Sequence, residues 1–341
     1  MLNFAIVGCG NMTDNWHARE LRKIPEVKVV ALVDNNPTQT AAIKRKYFED
    51  AVEFDSYPGL LENPPAKLDA VVLVTPHTLH YPQAKAALEK DINVLVEKPM
   101  VTASQHAFDL WRAVDKSGKL LAITFQAPHS REFAYLARER DAGRLGKMQL
   151  VTCSLAQGWL KGTAGKWRQD PTMSGGGQMY DSGAHALNAL MWLMNDPVTE
   201  VACFYDKCGS PVDINAVAIA KFASVGMASI TIGGNCPSFR TEIAIQTDTM
   251  LILTDMYGGK LEMIGRDGRK IYPHVDPSQE TPAAGTPHLN FVRALEGKER
   301  LRSPVRYGVL VSVLMDALYA SAESGTVVKA ALVPESLATT A

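Results

Sequence analysis

The chain has 341 residues, more than one ordinary core serves, and fits two domains. Hydrophobic residues make up 46% and charged residues 21%, with 35 basic side chains against 36 acidic ones. That balance suits a soluble globular protein and lacks the basic footprint of a nucleic-acid binder. The five cysteines are an odd count without a CxxC pair, which argues against a disulfide framework or a zinc knuckle. No uninterrupted apolar stretch reaches the roughly 18 residues of a membrane span, and no leader pattern is read ahead of the first strand. A cytoplasmic protein with no membrane or nucleic-acid partner is expected.

Apolar runs at residues 4–7, 27–33, 70–74, 93–96 and 120–125 suit strands buried on both faces of a parallel sheet. Between them, residues 11–22, 38–47, 81–89 and 104–116 have helical character, and Gly118 reads as a helix stop. Alternating strands and helices predict an α/β domain built on a doubly wound parallel sheet over residues 1–125. Beyond it the pattern changes. A helix over 131–142 ends at Gly143, and strands follow at 148–156, 198–205, 216–222, 228–232, 241–246, 250–254 and 260–264. Turns such as Gly258-Gly259 and Asp267-Gly268 join them, which predicts an antiparallel sheet and an α+β domain over 126–306. An apolar helix over 178–194 interrupts the strands. Residues 273–287 read as an exposed loop, and 307–341 as a helix and tail packing back on the body.

Gly8-Cys9-Gly10 follows the first strand and opens a helix, the arrangement that brings backbone amides to a pyrophosphate. Thr13 stands where a third glycine is usual. Asp34 closes the second strand and can accept hydrogen bonds from adenosine ribose hydroxyls, while its charge opposes a 2′-phosphate. NAD is therefore expected in preference to NADP; the structural alternative makes Asp34 or Asn36 a helix cap. Thr75, Pro76 and His77 follow the next buried strand, at the carboxyl edge where such sheets bind ligands. His77 and His80 lack companions at zinc-ligand spacing, so no metal is expected; His80 is read as orienting the loop beside the nicotinamide ribose.

The strand over 93–96 ends in Glu97-Lys98-Pro99, placing a lysine at the mouth of the sheet. Much later, Gly175-Gly176-Gly177 precedes Asp181 and His185. With these two on one helix, i and i+4 share a face. Imidazole titrates near neutrality and can take a hydroxyl proton as hydride leaves the same carbon. The alternative is a buried His–Asp pair serving structure alone. Trp159, Lys161, Lys166, Trp167, Arg168 and Asp170 crowd the loop before the glycines, as either a sugar-binding lid or a packed one. His129, Arg131 and residues 235–240 are further candidates for the rim.

Glu97-Lys98-Pro99 with the Gly175-Gly176-Gly177, Asp181 and His185 pattern resembles the glucose–fructose oxidoreductase/inositol dehydrogenase (Gfo/Idh/MocA) family. The likeness extends to His17, Thr75-Pro76 with His80, Gly143 with Gly146, and the closing stretch from Asn290-Phe291 to Gly325. It implies hydride transfer between nicotinamide and a hydroxyl of a sugar, inositol, related polyol or sugar acid. Lys98 would polarise that hydroxyl and His185 act as acid/base, with Asp181 binding substrate or orienting the imidazole. Trp167 and Arg168 are the other expected substrate contacts. Gly8, Gly10, Asn11, Met12, Asp34, Thr75, Pro76, His80 and Glu97 would hold the cofactor. The resemblance also implies an N-terminal Rossmann domain followed by an α+β domain with a large, mostly antiparallel open sheet, and a homodimer or homotetramer through that sheet. Asn188 departs from the pattern, where many members carry Asp. The competing readings are an NAD-dependent glycosidase working by transient oxidation, a non-catalytic nucleotide-sensing regulator, and a zinc hydrolase built on Asp181 and His185, which Lys98 would disfavour.

Overall fold

The computed structural model of the chain describes residues 1–224, 226–271, 285–334 and 337. Two compact units are present: Met1–Val101 with Gln105–Thr124 and Gly285–Val305, and Thr102–Ser104 with Phe125–Ala284 and Arg306–Ala341.

The first unit runs β1 (Leu2–Val7), a π-helical turn Thr13–His17 continuing into α1 (Ala18–Arg22), β2 (Val27–Val33), α2 (Pro37–Tyr47), β3 (Val52–Phe54), α3 (Tyr57–Glu62), β4 (Ala70–Leu73), α4 (His77–Glu89), β5 (Asn93–Val96), α5 (Ser104–Ser117) and β6 (Leu121–Ile123). All six strands pair parallel in the order β3-β2-β1-β4-β5-β6. The order reverses between β1 and β4, the switch point at whose carboxyl ends doubly wound sheets bind ligands. Phe4, Ile6, Leu32, Val72 and Leu95 are wholly buried. Covered faces on both sides explain why these strands read as continuous apolar runs. β3 and α3 carried no such signal: β3 has three residues at the sheet edge, with Val52 and Glu53 exposed. Gly118 ends α5 with φ +64°, its amide bonded to the Val114 carbonyl.

One boundary differs from the sequence expectation. Residues 285–305 belong to the first unit and not to a block over 126–306. There Pro287 opens α10 (Pro287–Leu295), capped by the Thr286 hydroxyl, and Phe291 packs edge-on against Phe4 at 6.0 Å. A return crossing of this kind depends on complementary packing, which local pattern does not reveal. Of the loop expected over 273–287, residues 273–284 lie outside the described residues.

The second unit contains α6 (Arg131–Asp141), β7 (Met148–Ala156), α7 (Trp159–Gly162), α8 (Pro171–Ser174), α9 (Gly183–Met194), β8 (Val198–Asp206), β9 (Asn215–Phe222), β10 (Met227–Gly233), β11 (Arg240–Thr247), β12 (Met250–Thr254), β13 (Leu261–Gly265), β14 (Lys270–Ile271), α11 (Val305–Ser324) and β15 (Val328–Lys329). Among the described residues its sheet has nine strands, in the order β14-β13-β12-β11-β7-β10-β9-β8-β15. Only β7 and β10 pair parallel. Along β9 the alternation is strict: Ala216, Ala218 and Ala220 are buried, whereas Val217 and Ile219 are exposed. α11 is long and apolar enough to cross a membrane by composition, but 72% of its apolar window is buried within the protein.

The helix expected from residue 178 begins at Gly183, because the preceding amides are committed elsewhere: those of Gly177 and Met179 donate to the Asp213 carboxylate. Asp181 therefore sits in a turn, and a shared helix face no longer relates it to His185. The far end of α9 is capped by Arg140, whose Nη1 donates to the carbonyls of Trp192 and Leu193 at 2.6 and 3.1 Å.

Candidate active site

In the first unit, Gly8 adopts φ +91°, and an added Cβ would meet the Val74 carbonyl oxygen at 2.6 Å. The turn lies so close to the end of β4 that only glycine fits. Around a Cβ built on Gly10, by contrast, there is nothing within 4 Å. The fold does not require glycine there, and the open space suits the close approach of a dinucleotide pyrophosphate. Asn11 and Met12 are exposed where the helix begins. Thr13 is buried and clamps the turn, its hydroxyl donating to the Gly8 carbonyl at 2.5 Å. Asp34 is half-buried and accepts the Cys9 amide at 2.8 Å and the Asn36 amide at 2.9 Å, one on each oxygen. It braces the turn, while Asn36 is the cap of α2. A carboxylate has about four acceptor sites, so ribose contacts at Asp34 remain compatible with both bonds. These residues fit a dinucleotide.

Along the carboxyl edge, Pro76 precedes α4 and the Thr75 hydroxyl donates to Gln83 Oε1 at 2.6 Å. His80 is fully buried, with Nδ1 2.8 Å from the Pro99 carbonyl and Nε2 2.9 Å from the Thr75 carbonyl. It thus ties the exit of β4 to the exit of β5, and burial lowers its affinity for a proton. Glu97 is turned inward, 7% exposed, accepting from His17 Nε2 at 2.9 Å and from the Lys98 amide at 3.1 Å. Burial pushes its carboxyl up, but the hydrogen bond from His17, with Lys98 beside it, holds it at about 2. Being depressed, it stabilises the fold above the ordinary carboxylate value of 4.5, and that contribution is lost as pH falls toward 2. Glu97 is thus tied into the protein's own framework, a role the sequence did not disclose. Lys98 is half-buried and its bond to Pro99 is cis.

In the second unit, Asp181 is 5% exposed, and its Oδ2 accepts from Trp159 Nε1 at 2.7 Å and Arg168 Nε at 2.9 Å. The two lid tryptophans therefore divide. Trp159 is buried with Val212 and Ile214, whereas Trp167 stays half-exposed with the Arg168 guanidinium 4.6 Å from its ring centroid. Asp170 caps α8, and Lys161 and Lys166 are exposed. His185 stands in the first turn of α9 between Phe125 and Tyr257, with ring centroids at 6.2 and 5.5 Å. His129 is buried and Arg131 exposed. One turn beyond His185, Asn188 is wholly buried, and its carboxamide has no hydrogen-bond partner among the described residues.

Two residues were missed by sequence reasoning. Asp213 is 2% exposed and accepts from the amides of Gly177 and Met179 and from the Tyr319 hydroxyl, so it shapes the glycine turn leading to Asp181. A Cβ on Gly177 would lie 2.0 Å from the Asp213 carbonyl oxygen, which explains that glycine. Tyr257 touches His185, and Phe239 stacks on it at 6.4 Å, so the expected rim over 235–240 does reach this aromatic wall. Burial, with the charges of Asp181 and Asp255, raises its phenol to about 12 and keeps it a neutral donor. The only available signal was the neighbouring Gly258-Gly259 turn.

Residues 2–125 match the model of an oxidoreductase family with an NAD-binding Rossmann fold (GFO_IDH_MocA), and residues 133–253 match the GFO/IDH/MocA C-terminal domain. The chain is 25% identical to a D-glucoside 3-dehydrogenase of Escherichia coli K12, over 95% of this chain and 96% of that one. It is 26% identical to D-xylose 1-dehydrogenase (NADP(+)) 2 of Haloferax volcanii, over 81% and 84% respectively. The crystal structure of the WlbA dehydrogenase from Bordetella pertussis, in complex with NADH and UDP-GlcNAcA, superposes with a TM-score of 0.83 at 22% identity, covering 97% of this chain and 98% of that one.

Proposed function

The chain belongs to the Gfo/Idh/MocA oxidoreductase family, and on that premise we propose that it transfers hydride between nicotinamide and a hydroxyl of a sugar, polyol or sugar acid. The observation that carries the reading is the glycine turn of the first unit, where nothing lies within 4 Å of a Cβ at Gly10, in residues that match an NAD-binding Rossmann fold. Bound nicotinamide supplies the hydride acceptor. His185 takes the hydroxyl proton on oxidation and returns it on reduction, and Lys98 stabilises the negative charge growing on the oxygen. Asp181, held by Trp159 and Arg168, orients the lid and bonds substrate. Trp167 with its stacked guanidinium, and Tyr257 with Phe239, offer faces for a sugar ring and donors for its hydroxyls. NAD is the preferred cofactor, because the half-exposed Asp34 carboxylate faces no basic partner in Asn35, Asn36 or Pro37.

A screen of sugars, polyols and sugar acids for reduction of NAD and NADP tests this reading. Stoichiometric NADH formation from a free polyhydroxy substrate is the expected result, with kcat/KM at least about tenfold higher for NAD, equivalent to roughly 1.4 kcal/mol. No net NADH from any of them, with glycoside cleavage instead, overturns the dehydrogenase; equal use of NADP overturns the role of Asp34.

The reading includes a second copy of the chain on the open face of the nine-stranded sheet. Phe204, Val217, Ile219 and Met227 are each more than half exposed there, an apolar surface of the kind that marks interfaces. The five free cysteines suit a reducing, cytoplasmic setting. Light scattering is expected to give a dimer or tetramer for wild type and a smaller species for the Val217→Lys/Ile219→Lys variant. A wild-type monomer rules this surface out as a self-interface.

A further inference from the structure

Behind Lys98 lies a chain of buried polar groups that the proposed chemistry does not itself use. His288, wholly buried in α10, places Nε2 2.8 Å from His17 Nδ1, and His17 Nε2 lies 2.9 Å from Glu97 Oε1. The other Glu97 oxygen accepts the Lys98 amide. With neutral rings, one proton arrangement satisfies the chain: His288 donates to His17, and His17 donates to Glu97. Both donors then point toward the carboxylate. Burying an ion is costly unless it is paired and bonded, so a buried Glu97 adjoining the lysine calls for a reason. The link is also far from local: His17 and Glu97 meet across 80 positions of chain, and His288 joins them only through the return of α10 to the first unit.

On the other side of Lys98, His80 holds the Pro99 carbonyl. The lysine is therefore bracketed: its amide goes to Glu97 and the next carbonyl to His80. The ionisable groups acting on Glu97 are His17 from the π-helical turn, Lys98 on its own segment and His80 from α4, with His288 behind His17 and the Thr124 hydroxyl at the end of β6. Trp16 sets its indole 5.0 Å from both the His17 and the His288 rings, which closes the relay on the helix side.

We propose that His17 and His288 are positioning residues for hydride transfer, acting through an ionised Glu97 to hold the backbone of Lys98 and supply its counter-charge. The inference rests on the dehydrogenase reading for its effect on turnover, but not for its effect on Glu97. A buried carboxylate accepting a donated imidazole N–H stays anionic; deprived of it, the carboxylate takes up a proton at higher pH and becomes a weaker acceptor.

The test compares His17→Phe, His17→Gln and His288→Gln with wild type, glutamine returning a side-chain donor. For His17→Phe, kcat is expected to fall about tenfold while KM changes less than about twofold, with loss of activity on the acid side at a pH where wild type is unaffected. His17→Gln recovers most of kcat. A readout without turnover follows the Glu97 carboxyl by NMR of protein carrying carboxyl-labelled glutamate, with Glu97→Gln assigning the signal. Its titration is expected to move upward in His17→Phe and to return partway in His17→Gln. A folded His17→Phe protein with the wild-type Glu97 titration overturns the proposal, whether or not a substrate has been found. So does a variant that loses thermal stability yet keeps the wild-type kcat and pH profile. Should His17→Phe fail to fold, His288→Gln leaves the His17–Glu97 bond in place. A Glu97 titration and pH profile unchanged in that variant remove His288 from the relay and overturn the chain as proposed.

Discussion

His185→Ala is expected to lower kcat about a thousandfold, the range by which a positioned acid or base accelerates proton transfer. NADH binding should stay within about twofold of wild type, since the loss lies in the transition state and not in cofactor affinity. Lys98→Met keeps the aliphatic stem and removes the charge, so about 3 kcal/mol of alkoxide stabilisation is lost, roughly a hundredfold in kcat. The double variant should be far less impaired than the product of the two, because groups that serve one step fail together. Steady-state kinetics with the best substrate from the screen, and NADH titration by fluorescence, provide the measurements. Unaltered turnover in either single variant removes that residue from the chemistry.

Gly8→Ala and Gly10→Ala are expected to separate cleanly, although both remove a glycine from the same turn. At Gly8 a methyl group meets the Val74 carbonyl oxygen at 2.6 Å and its carbon at 2.7 Å, with a left-handed φ besides. Backbone neighbours cannot swing aside as a side chain does, so a cost of about 3 kcal/mol is expected and thermal unfolding shifts down by several degrees. Gly10→Ala meets no atom within 4 Å and should unfold at the wild-type temperature without cofactor. Its methyl enters the space read as the pyrophosphate's, and NADH affinity is expected to fall at least about tenfold, or 1.4 kcal/mol. Calorimetry with and without NADH distinguishes the two. A Gly10→Ala protein that binds NADH like wild type places the dinucleotide elsewhere.

Legibility from sequence followed burial. β2, β5, β7 and β12 fall on the residues read from apolar runs, because a strand covered on both faces, or strictly alternating, declares itself in its own residues. β3, β14 and β15 did not, being two or three residues long and lying at sheet edges. Lys98 and His185 stood out as candidates by their place beside strand ends and glycines. The company they keep was less so: Asp181 is held by Trp159 and Arg168 from the lid, and Tyr257 reaches His185 from a turn some 70 residues later in the chain.

The alternation of strands and helices and the glycine turn after β1 were readable in the residues themselves, since periodicity and turn chemistry are local properties. Tertiary structure alone decided three things. Asp213 takes the amides that would have started α9 earlier, so Asp181 lies in a turn. Residues 285–305 return to the first unit, where Phe291 finds Phe4. Glu97 faces inward to His17 and His288. Each depends on a donor finding an acceptor, or one side chain a complementary face, across 30 to 290 residues of chain, and the free energy of such a pairing exists only once both partners are in place.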